Sequence, residues 1–149
     1  ATSRDRLPFA HWARGERPVV EAGGRRLRWA PGGRADSSHA ALRRYLDVVF
    51  GYAGSYSLAR ELRPVPTSDL QPGDVFIQGG FPGHAVIVLD SARASDGRRV
   101  FLLAQSYMPA QQVHVLLRPD GGGAWYTLEP ELPLATPEWT FLPGSLRRF

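Results

Sequence analysis

The chain reads as α+β: an antiparallel sheet of four to five strands with one or two helices packed on it. Three observations predict this. Apolar residues recur at helical spacing over residues 38–50. From residue 73 onward they gather instead into short β-branched and aromatic runs. The connections between those runs are short or medium, which suits antiparallel pairing, and helices followed by strands pack as separate layers.

Residues 1–36 are rich in Arg, Gly and Pro. Within them PVVEAGGRRLRWA (18–30) reads as a small hairpin turning at Gly23–Gly24, with Trp12 and Trp29 anchoring it to the core. DSSHAALRRYLDVVFGYAG reads as a helix capped by Ser37 or Ser38 and ended by Gly51 or Gly54. Leu42, Tyr45, Leu46, Val49 and Phe50 form its predicted buried stripe. SLARELRP reads as a second short helix, stopped before Pro64. The predicted strands are DVFIQ (74–78), HAVIVLD (84–90), RVFLLAQSY (99–107) and QVHVLL (112–117), with EWTFL (138–142) as a fifth.

The 149 residues suffice for one domain with a real core, and no internal boundary or repeat is visible. No apolar run approaches the ~18 residues of a membrane-spanning helix, so no membrane span is expected. ATSRDRLPFAHW carries no apolar export-signal core. There is no cysteine, which excludes disulfides, thiolate metal sites and a cysteine nucleophile within these residues. All 18 basic residues are arginine and the net charge is +4. The arginines are scattered, with one cluster at Arg25, Arg26 and Arg28 and a pair at Arg147–Arg148, so no nucleic-acid partner is expected.

The candidate chemistry sits in GDVFIQGGFPGHAVIVLD (73–90). DVFIQ and HAVIVLD are joined by the five residues Gly79–Gly83, so Gln78 and His84 face each other at the loop ends. Pairing Asp90 with Arg99 in the next hairpin places His84 opposite Gln105. Opposite residues of an antiparallel pair share a face, so Gln78, His84 and Gln105 converge at one end of the sheet. A glutamine oxygen accepting from one imidazole nitrogen leaves the other free as a base. That is the base-plus-orienter half of a nucleophilic triad. The plainer alternative is a strand-end histidine with one satisfied hydrogen bond beside a structural turn. His11, His39 and His114 are weaker candidates, and His114 alternates with Val113 and Val115 off the core face. No histidine pair has metal-ligand spacing and no carboxylate cluster accompanies one, so neither metal nor cofactor is expected.

LQPGDVFIQGGFPGHAVIVLD, FLLAQSYMPAQQVHVL, WY (125–126), TPEWTF and LRRF resemble the bacterial family DUF4846, and RYLDVVFGYAGSYSLARELRPV resembles its helical segment. The resemblance runs over nearly the whole chain. That family is in turn similar, more loosely, to the NlpC-type cell-wall cysteine peptidases, whose fold is papain-like. The resemblance implies a papain-like half-barrel, with Gly73–Asp74 on its first strand, His84 as the base and Gln105 as the orienting residue. It also implies a further N-terminal segment with a Cys-containing helix, where the nucleophile would sit and after which this chain begins. A shortened gene, a fragment and a natural variant without the thiol all fit that expectation, and so does a domain that is the C-terminal part of the family's.

The expected function is therefore amide or peptide hydrolysis, with cell-wall peptides as the implied substrate and the Cys nucleophile lacking. Ser37 or Ser38, at a helix start, is the weaker nucleophile candidate, against the plain role of such a serine as a cap. Ser106 and Tyr107 are read as lining the cleft. Gln78, Phe81, Tyr107, Trp125 and Tyr126 are the candidate substrate-binding residues. The second reading is a non-catalytic module that holds a peptide or glycan in the same cleft. The resemblance favours a periplasmic or extracellular site, and the sequence leaves the oligomeric state open.

Overall fold

The structure is a computed structural model that describes residues 6–21, 26–107 and 111–149. The chain divides into two compact units, Ala1–Ser57 and Leu58–Phe149.

The first unit holds α1 (Phe9–Ala13), the antiparallel hairpin β1 (Glu16–Val20) and β2 (Leu27–Pro31), and α2 (His39–Tyr52). The predicted hairpin is present, with Pro18 opposite Trp29; its turn at Gly23–Gly24 lies outside the described residues. Trp12 is buried, with the Arg17 guanidinium 3.9 Å above its ring. Trp29 is half-buried and stacks on His11 at 4.8 Å. Ser38 caps α2, its hydroxyl accepting from the Ala41 amide at 3.2 Å. The helix runs through Gly51 to Tyr52 rather than ending at a glycine. A single glycine costs a helix only about 1 kcal/mol, too little to stop a run with strong formers before it. The packed stripe centres on buried Ala41 and half-buried Tyr45, and Phe50 falls beyond it at 71% exposure.

A third helix, α3 (Ser55–Glu61), crosses the division. Along the second unit follow β3 (Arg63–Pro64), a single 3-10 turn (Thr67–Asp69), β4 (Val75–Gln78), β5 (His84–Arg93), β6 (Arg99–Gln105), β7 (His114–Val115), β8 (Trp125–Tyr126), β9 (Leu134–Ala135), β10 (Thr140–Phe141) and β11 (Leu146–Arg148). Seven strands form one antiparallel sheet in the order β3-β11-β4-β5-β6-β7, with β8 also paired to β6. β9 and β10 pair separately.

This corrects the expected architecture. The main sheet has seven strands, not four or five, and the described structure is mostly sheet rather than a papain-like half-barrel with packed helices. Two- and three-residue strands cause the difference, because they are too short to show alternation. The C-terminal residues 146–148 insert between β3 and β4, and EWTFL supplies β10 of the small pair instead of a fifth main strand. Within the second unit the end of α3 covers part of the sheet, where Leu58 and Ala59 pack against Leu62, Val75 and Ile77. The opposite face carries the main core, built on Phe76, Val86, Val88, Phe101, Leu103 and Phe141.

One buried ion pair ties β11 to the start of β4. Asp74, at 1% exposure, receives Arg148 as a fork: Nε to Oδ1 at 2.6 Å and Nη2 to Oδ2 at 2.8 Å. The Gln71 amide donates to the same Oδ2 at 2.8 Å. Arg148 also reaches the Asp69 carboxylate (3.0 Å) and carbonyl (2.7 Å). A buried carboxylate needs this full set of donors to offset its lost hydration.

Arg148→Lys should lower the urea midpoint and Arg148→Ala should lower it further, because an ammonium replaces the charge but not the parallel fork. Asp69 adds a pH signature. Its hydrogen bond from Gln71, and then that from Arg148, hold its carboxyl below the ordinary value of 3.8. Its stabilisation is thus complete above that value and lost as pH falls through the lowered one. The stability gap between wild type and Asp69→Asn should narrow as pH drops below 3.8, read by urea denaturation at each pH.

Candidate functional site

The β4–β5 hairpin puts Gln78 directly opposite His84, as the five-residue loop count predicts. The β5–β6 register differs from expectation. β5 continues to Arg93, and Arg93, not Asp90, lies opposite Arg99. Carried straight through, that register would bring Gln105 level with Ile87, on the face away from His84. One extra residue, Leu89, bulges between the Val88–Leu103 and Asp90–Leu102 pairs, so Ile87 lies opposite Ala104. Continued one step, this sets Gln105 level with Val86, on the same face as His84 and diagonal to it.

The side chains span that diagonal. His84 Nε2 lies 2.6 Å from Gln105 Oε1. Gln105 is itself buried, at 3% exposure, and its Nε2 donates to Glu138 Oε2 at 2.6 Å. Both ends of its amide are therefore satisfied, as burial demands. No hydrogen bond joins His84 Nδ1 to any described residue, and no described hydroxyl bonds to the ring. Three aromatic rings hold the imidazole: Phe141 stacked at 6.0 Å, Trp139 tilted at 5.6 Å and Tyr107 edge-on at 5.4 Å.

Glu138 and Trp139 come from the β9–β10 connection. Buried Thr136 closes it: its hydroxyl donates to the Trp139 carbonyl at 2.7 Å and accepts from the Trp139 amide at 3.2 Å. From this turn Glu138 reaches Gln105 on β6, and Trp139 Nε1 points to Gln78 Oε1 on β4 at 3.4 Å. Adjacent residues thus contact the two glutamines that flank His84. The Glu138 charge also bears on Tyr126, whose hydroxyl is pushed up to about 12, mainly by burial and next by that charge.

The other sequence-selected residues lie as follows. Tyr107 touches the His84 ring. Tyr126 is a core residue at 2% exposure, stacked on Phe101 with its hydroxyl donating to the Leu117 carbonyl at 2.8 Å. Trp125 pairs with Leu102 and so faces away from His84. Phe81 is exposed in the β4–β5 loop, and Ser106 is exposed after β6. Ser38 belongs to the first unit, where its hydroxyl is spent on the helix cap. His11 bonds Glu16 at 2.6 Å, and His114 bonds the Gln112 carbonyl. No group of three metal-ligating side chains occurs among the described residues. Glu138, Trp139 and Phe141 were missed as site residues. Their one sequence signal is the Thr-Pro turn ahead of an acidic and an aromatic residue.

The family model DUF4846, a domain of unknown function, matches residues 1–148. No curated protein and no solved structure matches the chain.

Phe141 is fully buried and contacts both Phe76 and His84. Phe141→Ala should cost about 3–5 kcal/mol, measured by chemical denaturation, and should broaden the His84 ring resonances by removing the face that holds it.

Proposed function

The chain belongs to the DUF4846 family, and on that premise we propose that His84 is the base of an amide- or peptide-hydrolysing site. The observation that carries this reading is the 2.6 Å contact of His84 Nε2 with Gln105 Oε1, with Nδ1 left without a partner among the described residues. An amide oxygen only accepts, so Nε2 carries the proton and Nδ1 keeps its lone pair. Nδ1 takes the proton of an attacking nucleophile and returns it to the leaving amine, which balances the reaction. Gln105 holds the ring in that tautomer. The looser similarity of the GDVFIQ and GHAVIV segments to NlpC-type enzymes supports the same assignment and suggests cell-wall peptides as substrate. The 149 residues contain no cysteine, the Ser38 hydroxyl is spent on its helix cap and no described hydroxyl bonds to the His84 ring, so water or a thiol supplied from outside these residues is the nucleophile of this proposal.

A second reading is a non-catalytic peptide- or glycan-binding module. It is favoured by the absence of a hydroxyl bonded to His84 among the described residues and by the Tyr107 and Trp139 rings beside it.

The test measures hydrolysis of an activated amide with and without a small added thiol, for wild type and His84→Ala. A positioned base contributes about 10²–10⁴-fold, so a loss of that order in His84→Ala is expected. Equal rates in the two proteins would remove the hydrolase reading. Retained binding of a cell-wall peptide, weakened by His84→Ala without turnover, would favour the module.

A further inference from the structure

We infer that Glu138 is a positioning residue that sets the tautomer of His84 through Gln105. The inference deepens the base assigned to His84 above and rests on that reading only for its functional meaning.

A glutamine amide is nearly symmetric in shape. Turned over, Gln105 would fit the same buried space with its NH₂ toward His84. It would then donate to Nε2, which would force the proton onto Nδ1 and remove the lone pair that the reaction uses. Nothing about His84 itself prevents this, since an imidazole nitrogen accepts as readily as it donates. Glu138 breaks the symmetry. An ionised carboxylate only accepts, so the amide end that faces it must be Nε2, as the 2.6 Å contact shows. The oxygen is then directed at His84, again at 2.6 Å. The polarity of the whole chain, from carboxylate to amide to imidazole, follows from its one acceptor-only end.

The site gives Glu138 little other work. Glu138 is exposed, so it fills no core space, and it makes no ion pair among the described residues. Its neighbours fix where it stands: Thr136 closes the turn and Trp139 points to Gln78, bracing the segment across β4, β5 and β6. A carboxylate held this way acts on the distant ring nitrogen only through the intervening amide.

The tautomer is read directly, without turnover, from long-range ¹H–¹⁵N spectra of His84 in the full chain above the pH of imidazole protonation. Wild type should show the Nε2–H form. Glu138→Ala and Glu138→Gln should show a mixture of the two tautomers, because neither side chain forces the Gln105 orientation. Glu138→Asp should restore much of the Nε2–H form. A second variant guards against local unfolding: Gln105→Glu combined with Glu138→Ala places an acceptor-only group directly on His84 and should recover the Nε2–H form. A wild-type tautomer pattern in both Glu138→Ala and Glu138→Gln would overturn the inference. If those variants change the tautomer while His84→Ala leaves hydrolysis unchanged, the positioning role stands and the hydrolase reading falls.

Discussion

The buried carboxylate of Asp74 is the constraint on which the second unit is built. A charge at 1% exposure is tolerable only with a complete set of donors. Those donors are the Gln71 amide, a few residues upstream, and the guanidinium of Arg148, at the far end of the chain. The fork joins β11 to the residue that precedes β4, and β11 lies between β3 and β4 in the sheet. The PGD and LRRF segments, far apart in sequence, are thereby two halves of one contact.

The candidate site uses the opposite end of β4. Three strands and a turn each contribute: Gln78 from β4, His84 from β5, Gln105 from β6, and Glu138 with Trp139 from the β9–β10 connection. None of these side chains is unusual alone. What sets the group apart is that the bonds from His84 Nε2 to Gln105 and from Gln105 to Glu138 run in a single direction and leave His84 Nδ1 with no partner among the described residues. A polar network of that kind, once satisfied, rigidifies the ring it holds. The aromatic packing of Phe141, Trp139 and Tyr107 serves the same end by limiting how the ring turns.

Local signals were legible in the sequence and long-range ones were not. The five-residue loop fixes the Gln78–His84 pair by counting alone, and Ser38 announces the start of α2 through ordinary capping chemistry. The β5–β6 register differs from the one the turn residues predict because DSAR continues the strand. The convergence of His84 and Gln105 survives that difference because the true register, after the bulge, differs from the expected one by an even step. The two-residue strands carry no periodicity to read, so the seven-stranded sheet is not legible in the sequence, and the papain-like half-barrel that the structure corrects rested on the resemblance alone. The sequence offers Trp125 and Tyr126 together as cleft residues, yet adjacent strand residues point to opposite faces: Tyr126 lies in the core and Trp125 on the far side. Glu138 could not be found from spacing, since it reaches Gln105 across 33 residues of chain.

The bulge at Leu89 makes the site sensitive to length rather than to identity. Most side chains could stand at that position, since it is 44% exposed and pairs with nothing across the strand. Its presence, however, counts. Losing one residue there while the β6 end of the hairpin stays in register would turn either His84 or Gln105 to the wrong face, with every side chain still chemically intact. Relatives that keep this site are thus expected to vary in sequence at the bulge while conserving the number of residues between His84 and the turn, or to change that number in twos. Gap parity in an alignment is therefore a more telling record of this site than residue identity at position 89.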